Sequence, residues 1–207
     1  ARHTDKEVLR LEWDGTPHGI FPVWPKGKKL NFNDLFHGYD NDRTMVRIAW
    51  MNLILHDLET PEVHQLDSLS KRLKDEESGS YDYILANPPF NDSDWSGDLL
   101  RDDARWVYGV PPAGNANYAW IQHFIYHMSP TKGMAGFVLA KGSLTSKTNG
   151  EGDMRKNIIE DGLLDCIINL PAKLFLNTQI PACLWFLSRK KGKHPDRVLF
   201  IDARNLG

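Results

Sequence analysis

The sequence predicts an α/β protein built on a mostly parallel sheet with helices on both faces. Three observations carry this. From residue 34 onward, short apolar runs alternate with stretches of helical periodicity. The strand-length runs are apolar throughout, as strands covered on both sides are. Three of them stop at polar residues, Asp40, Asp67 and Asn87, and in open α/β sheets ligands bind beyond the carboxyl ends of the strands.

The elements follow in order. Residues 1–33 form an irregular N-terminal segment in which Gly15, Pro17, Gly19, Pro22, Pro25 and Gly27 break any pattern, and only 4–13 reads as helix. Residues 34–207 read as one domain. In it, 35–40 is a short strand ending in Asp40, and 43–56 is a helix with Met45, Ile48, Ala49, Asn52 and Leu53 near one face. Residues 63–67 are a second short strand ending in Asp67, and 71–80 a charged connection. Residues 81–86 are a strand that halts at Asn87-Pro88-Pro89-Phe90, because proline has no N–H for a ladder. A long loop spans 91–116, a length that marks a functional or mobile segment. Then come a helix at 117–129, a strand at 134–140, a polar loop at 143–153, a helix at 154–160 and a strand at 163–170. Residues 171–181 are a loop, 182–188 a strand, 189–197 a basic turn and 198–202 a last strand.

Composition narrows the function classes. At 41% hydrophobic and 25% charged residues, the chain has the make-up of a globular protein and not of a disordered or collagenous one. No apolar run approaches the ~18 residues of a membrane span. Residues 1–10 are charged, unlike a signal peptide. The two cysteines, Cys166 and Cys183, lie in apolar strand runs and have neither disulfide nor zinc spacing, which predicts reduced core residues and a cytoplasmic protein. The formal net charge is −2. A protein that binds nucleic acid by itself carries a basic excess, so any nucleic-acid partner requires charge from other segments or subunits.

The polar strand ends are the candidate site. Asp40 at a strand end can accept hydrogen bonds from the ribose hydroxyls of a nucleotide-like cofactor, and Asp67 can bind an amino group on its adenine; a turn or helix-cap aspartate explains each as well. Asn87–Phe90 carries a more specific chemistry. The lone pair of an exocyclic amino nitrogen is delocalised into its ring. Two acceptors aimed at its hydrogens, the Asn87 side-chain oxygen and the Pro88 carbonyl, favour a tetrahedral nitrogen whose lone pair points outward. Pro88 and Pro89 stiffen the backbone that holds them, and Phe90 offers a flat apolar face on which an extruded base can stack. The plain alternative is an Asn-Pro turn that only ends a strand.

These residues resemble a family. The segment YDYILANPPF is similar to the catalytic motif of S-adenosylmethionine-dependent adenine-amino methyltransferases. HGYDNDRTMVRIAWMNLILH, LDSL, RWVYGVPPAGNANYAWIQHFIYHM, GMAGFVLAKGSLTS, GEGDMRKNIIEDGLLDCIINLPAKLF and NTQIPACLWFLSRKK resemble the methylation subunit of type I restriction–modification systems, across about residues 34–190. The resemblance implies a Rossmann-like methyltransferase fold and an enzyme that methylates the N6 amino group of adenine in double-stranded DNA, on a flipped base. It implies S-adenosylmethionine as cofactor and a complex with specificity and restriction subunits. By it, Asp40 holds the cofactor's ribose, Asp67 lies near its adenine, and Asn87, Pro88, Pro89 and Phe90 form the catalytic motif, with Asn87 beside the cofactor as well. One departure stands out: the family's glycine-rich cofactor loop has no counterpart in residues 1–34, and Gly150-Glu151-Gly152 lies too far downstream to replace it. The expectation is a methyltransferase domain without its first strand and glycine loop.

Other residues have weaker readings. His123 and His127 stand four apart on one helix but have no third ligand at metalloprotease spacing, so packing is expected and no metal. Trp50, Trp120 and Trp185 are expected in the core; Trp95 and Trp106 either pack the long loop or meet DNA. Asn115 and Asn117 either shape the rim of the site or cap the following helix. Arg189, Lys190, Lys191, Lys193, His194 and Arg197 either touch phosphate or form a solvated turn. Two rival functions remain open: methylation of RNA bases or protein glutamine, whose similar motifs often end in tyrosine, and a non-catalytic assembly module.

Overall fold

A computed structural model describes residues 11–12, 21–22, 36–56, 58, 62–70, 78–174, 179–190 and 196–205. The chain divides into two compact units, Ala1–Ser68 and Leu69–Gly207, a division that falls inside the stretch read as one domain.

In the first unit, β1 (Leu11–Glu12) pairs antiparallel with β2 (Phe21–Pro22). The helix expected over 4–13 is therefore absent at 11–12, and its other residues lie outside those described. A ten-residue helix without packing is marginal in water, and Gly15, Pro17 and Gly19 suit a reversal. β3 (His37–Asp40) and β4 (Glu62–Gln65) pair in parallel, joined by α1 (Arg43–Leu55). α1 starts where the Asp42 carboxylate accepts from the Thr44 N–H at 2.6 Å. It buries no residue, and its apolar side faces an open groove lined by Gly38, Asp40, Met45, Ala49, Leu53 and Val63. Trp50, expected in the core, is 41% exposed; its indole N–H donates to the Val63 carbonyl and so ties helix to strand. The 63–67 strand ends earlier than expected, which leaves Asp67 two residues beyond β4.

The second unit holds β5 (Tyr83–Ala86), α2 (Asn117–His127), β6 (Met134–Ala140), α3 (Glu151–Glu160), β7 (Leu164–Asn169), β8 (Ala182–Ser188) and β9 (Leu199–Asp202). The sheet order is β5-β6-β8-β7-β9. β5 is parallel to β6 and β7 to β9, while β8 runs antiparallel to both its neighbours. Four strands thus share a direction and one is reversed, so the sheet is mixed. A run that is apolar throughout, such as 182–188, reads the same in either direction, so the sequence could not signal the reversal. Ala135, Phe137 and Leu139 of β6 share one face with Ile167 and Trp185, and α2 and α3 cover it through Ile121, Phe124, Ile125, Met154 and Ile158. Helices are expected on both faces; among the described residues of this unit they cover this one, and Gly136 and Val138 on the other are only partly buried. Trp185, 1% exposed, donates to the Ser143 hydroxyl.

The 91–116 segment is packed and not a loose loop. A 3-10 turn at Gly97–Leu100 interrupts it, and Trp95, Leu100, Trp106 and Ala116 form a second small core with Leu69. The Trp95 and Trp106 rings meet edge to face at 5.8 Å. A Cβ at Gly97 would stand 2.5 Å from the Trp95 ring, so only glycine allows that approach. Of the two readings for these tryptophans, the structure shows loop packing. Arg105, 1% exposed, is at the centre. Its Nε and Nη2 donate to the two carboxylate oxygens of Asp103 at 2.8 and 2.9 Å, Nη2 also donates to the Leu69 carbonyl at 2.8 Å, and Nη1 donates to His123 Nδ1 at 3.2 Å. Because arginine has no acceptor, His123 accepts through Nδ1 and carries its proton on Nε2.

Three expectations arise from this packing. Asp103→Ala should cost about 3–5 kcal/mol in urea denaturation, because it strands a buried guanidinium. Glu160→Ala, which breaks an exposed pair with Lys156 on α3, should change stability by less than ~0.5 kcal/mol. Burial, then the neighbouring His127 and Arg105 charges, hold the His123 pKa well below 6.5. The unfolded chain therefore takes up a proton that the folded chain refuses. Stability is complete above about pH 6.5 and falls below it by up to ~1.4 kcal/mol per pH unit. Urea midpoints at pH 7.5 and 5.5 should differ in the wild type, and the difference should shrink in His123→Gln.

Candidate functional site

β5 stops at Ala86 because Pro88 cannot donate to a ladder. Asn87 and Pro89 are exposed, Pro88 is buried and Phe90 is half-buried. The buried proline anchors the segment, and Asn87 beside it is exposed. Asn91 then takes a left-handed conformation with φ 52°, tolerable for asparagine but costing most other residues ~1 kcal/mol or more. Two hydrogen bonds hold it there: its N–H donates to Asn117 Oδ1 at 3.2 Å, and Asn117 Nδ2 donates to Asn91 Oδ1 at 2.9 Å. Asn115 Nδ2 reaches the same Asn91 oxygen at 3.4 Å, and the Ala116 N–H donates to the Asp92 carbonyl at 2.8 Å. Asn115 also accepts from the Asn117 N–H at 2.9 Å. The capping reading thus fits Asn115, whereas the 2%-exposed Asn117 side chain reaches across to the turn after Phe90.

β6 lies beside β5 and points the same way, so its carboxyl end opens on the same side. There a 3-10 turn at Lys141–Leu144 is tied down: Tyr118 donates to the Ser143 carbonyl, and Arg155 donates to Tyr118 and to the Ser146 carbonyl. Burial pushes the Tyr118 phenol up to about 12, against the lowering effect of Arg155, so it stays a neutral donor. Burial also raises both thiols, which disfavours the thiolate form of each. The His123 and His127 rings meet edge to face at 4.6 Å within an aromatic cluster, and among the described residues no group of three His, Cys, Asp or Glu side chains can hold a metal.

The acids lie in the first unit. Asp40 closes β3, half-buried, and its Oδ1 accepts from the Asp42 N–H at 2.8 Å. The turn role read for it is therefore real, and it occupies one carboxylate oxygen. The Leu66 N–H donates to the Asp40 carbonyl, so the chain continues past β4 at the same end, and Asp67 follows there, exposed. The structure brings these two acids to one end of a parallel pair. Carboxylates so placed accept from hydroxyl and amino groups, which suits a nucleoside. Asn91 and Arg105 were missed from the sequence. Asn91 carried a faint signal, a residue tolerant of left-handed backbone just beyond a Pro-Pro-Phe turn; Arg105 carried none, since two of its partners, Leu69 and His123, lie far from it in sequence. Of the basic cluster, Arg189 is half-buried and donates to the Ile125 carbonyl, while 191–195 lie outside the described residues.

Comparison with known proteins bears on this arrangement. The family model for N-6 DNA methylases matches residues 25–207. The type I restriction enzyme HindI methylase subunit of Haemophilus influenzae is 45% identical over 179 residues, covering 86% of this chain and 40% of that protein. A crystal structure of the type I restriction–modification methyltransferase subunit from Streptococcus thermophilus superposes with TM-score 0.70 at 30% identity, over 82% of this chain and 36% of that one. A class I S-adenosylmethionine-dependent methyltransferase from Listeria monocytogenes shares the fold alone, with TM-score 0.55 at 20% identity over 80% of this chain and 48% of that one. The chain therefore spans less than half the length of each of these proteins. With a match over most of its residues, the chain belongs to the N-6 DNA methylase family.

Proposed function

We propose that this chain forms the methyl-transfer part of an adenine-N6 DNA methyltransferase working in a type I restriction–modification complex, with both its units belonging to one methyltransferase domain. The observation that carries it is an exposed Asn87 on a turn anchored by buried Pro88, in a member of this family. Asn87 Oδ1 and the Pro88 carbonyl accept the two hydrogens of the adenine amine, which turns its lone pair outward. Phe90 stacks on the extruded base. S-adenosylmethionine fits the acids present: Asp40 retains a carboxylate oxygen for ribose hydroxyls, and Asp67 accepts from the adenine amino group. When bound, it supplies an electrophilic methyl group. The proton lost by the amine leaves through solvent after transfer, because no general base is needed once nitrogen is alkylated. With a net charge of −2, most of the phosphate contact falls to specificity and restriction subunits and to other parts of the polypeptide. A cytoplasmic setting follows from this role, and among the described residues no helix is long and apolar enough to cross a membrane.

The test is methyl transfer by the full-length subunit assembled with its specificity subunit, offered duplex DNA, RNA and protein. N6-methyladenine in DNA is the expected product; label in RNA or in glutamine overturns the reading. Asn87→Ala should lower the chemical rate by about 100-fold or more while cofactor affinity holds, since its contacts strengthen in the transition state. Phe90→Tyr and Phe90→Trp should keep most activity. Phe90→Ala should weaken the flipped state by ~1–3 kcal/mol, and by less when the target adenine is mispaired. Equal damage on paired and mispaired DNA, accompanied by a lower melting temperature, would make Phe90 a packing residue only.

A further inference from the structure

We propose that Asn117 is a positioning residue that sets the geometry of the Asn87–Phe90 turn through its two-point contact with Asn91. This rests on the reading of that turn as the amine-binding site. A single hydrogen bond fixes a distance. Two bonds from one carboxamide to the main-chain N–H and the side-chain oxygen of the same residue also fix its orientation. Asn91 is the next residue after Phe90 and holds φ 52°, so its orientation determines where the preceding peptide units point. Rotation at this residue moves the Phe90 ring and the Pro88 carbonyl together.

The anchor is well suited to the task. Asn117 is 2% exposed and opens α2, eleven residues of helix whose other side lies in the main core through Ile121, Phe124 and Ile125. Its side chain makes no capping bond to its own helix, because the Asx contact at the helix start comes from Asn115. Instead, both ends of the Asn117 amide are directed to the turn. The polarity is also one-way: Asn117 must donate through Nδ2, whereas Asn91 only needs an oxygen there. The two asparagines are therefore not equivalent, which a general packing role would not require.

The experiment uses the full-length subunit in its complex, with Asn117→Asp, Asn117→Ala and Asn91→Asp. Asn117→Asp places a carboxylate against the Asn91 oxygen. Its single-turnover methylation rate should fall on the order of 100-fold, the scale set by misplacing reacting groups by about an ångström. S-adenosylmethionine and DNA dissociation constants should stay within about twofold. Asn91→Asp keeps the acceptor and should lose several-fold less. Independently of activity, amide hydrogen exchange in a peptide spanning 87–92 should quicken in both Asn117 variants, with the β6 and β8 peptides unchanged. Unchanged exchange at 87–92 overturns the contact; an Asn117→Asp rate within threefold of wild type, or a loss equal in the two aspartate variants, overturns the positioning role. A wild-type complex that methylates no adenine overturns instead the reading of the site, while the exchange result still decides whether Asn117 holds the turn.

Discussion

The fold of the second unit depends on one buried ion pair. Arg105 and Asp103 are two residues apart, yet between them they join three distant stretches: the chain at Leu69, the packed segment at Leu100–Trp106 and the middle of α2 at His123. The side chains of the pair are 0% and 4% exposed. An ion pair buried to this degree gains little over an apolar substitute, but it tolerates few other arrangements, because each donor must find an acceptor. Around it lie the Trp95–Trp106 contact and the guanidinium over the Trp106 ring at 4.9 Å. The segment leaving the Asn87–Phe90 turn is thus rigid within a dozen residues. Preorganised acceptors require such a base, since a site that must reorganise as charge develops loses much of its advantage.

α2 is the element through which this rigidity is distributed. Its first residue holds Asn91, its seventh accepts from Arg105, and Gln122 accepts from the Tyr108 N–H while donating to the Gly109 carbonyl. One helix therefore supports the 91–116 segment at its start and again at 105–109. Its remaining face meets Phe137 and the rest of the sheet core. The Asn87–Phe90 turn, the packed segment and the central strands consequently answer to a single scaffold.

Much of this was legible in the sequence where a residue type has a strong local meaning. The bounds 134–140 and 182–188 were read as they stand, because continuous apolar runs closed by polar residues leave few choices. The halt at Asn87 followed from proline's missing N–H. What escaped was set by contacts distant in sequence. The reversed direction of β8 leaves no mark in its own residues. The order of 91–116 depends on Arg105 finding Leu69 and His123, which no window of local pattern contains. The exposed Trp50 departs from its apolar character because its indole N–H is held by the Val63 carbonyl at the helix edge. At the candidate site, Asn87–Phe90 stood out by residue type, whereas the left-handed backbone of Asn91 is visible only in the structure.

The two outer strands of the five-stranded sheet have a practical bearing. β5 exposes Tyr83 and Leu85 at 76% and 88%, and β9 exposes Leu199, Phe200 and Ile201. Among the described residues each of these strands has a ladder partner on one side only, so both rims set apolar side chains beside edge backbone groups, the condition under which copies of a protein add to one another edge to edge. Concentrated preparations of this chain are expected to associate through these rims. A lysine in place of Leu85 and another in place of Phe200 are the sparing way to keep such a preparation in solution.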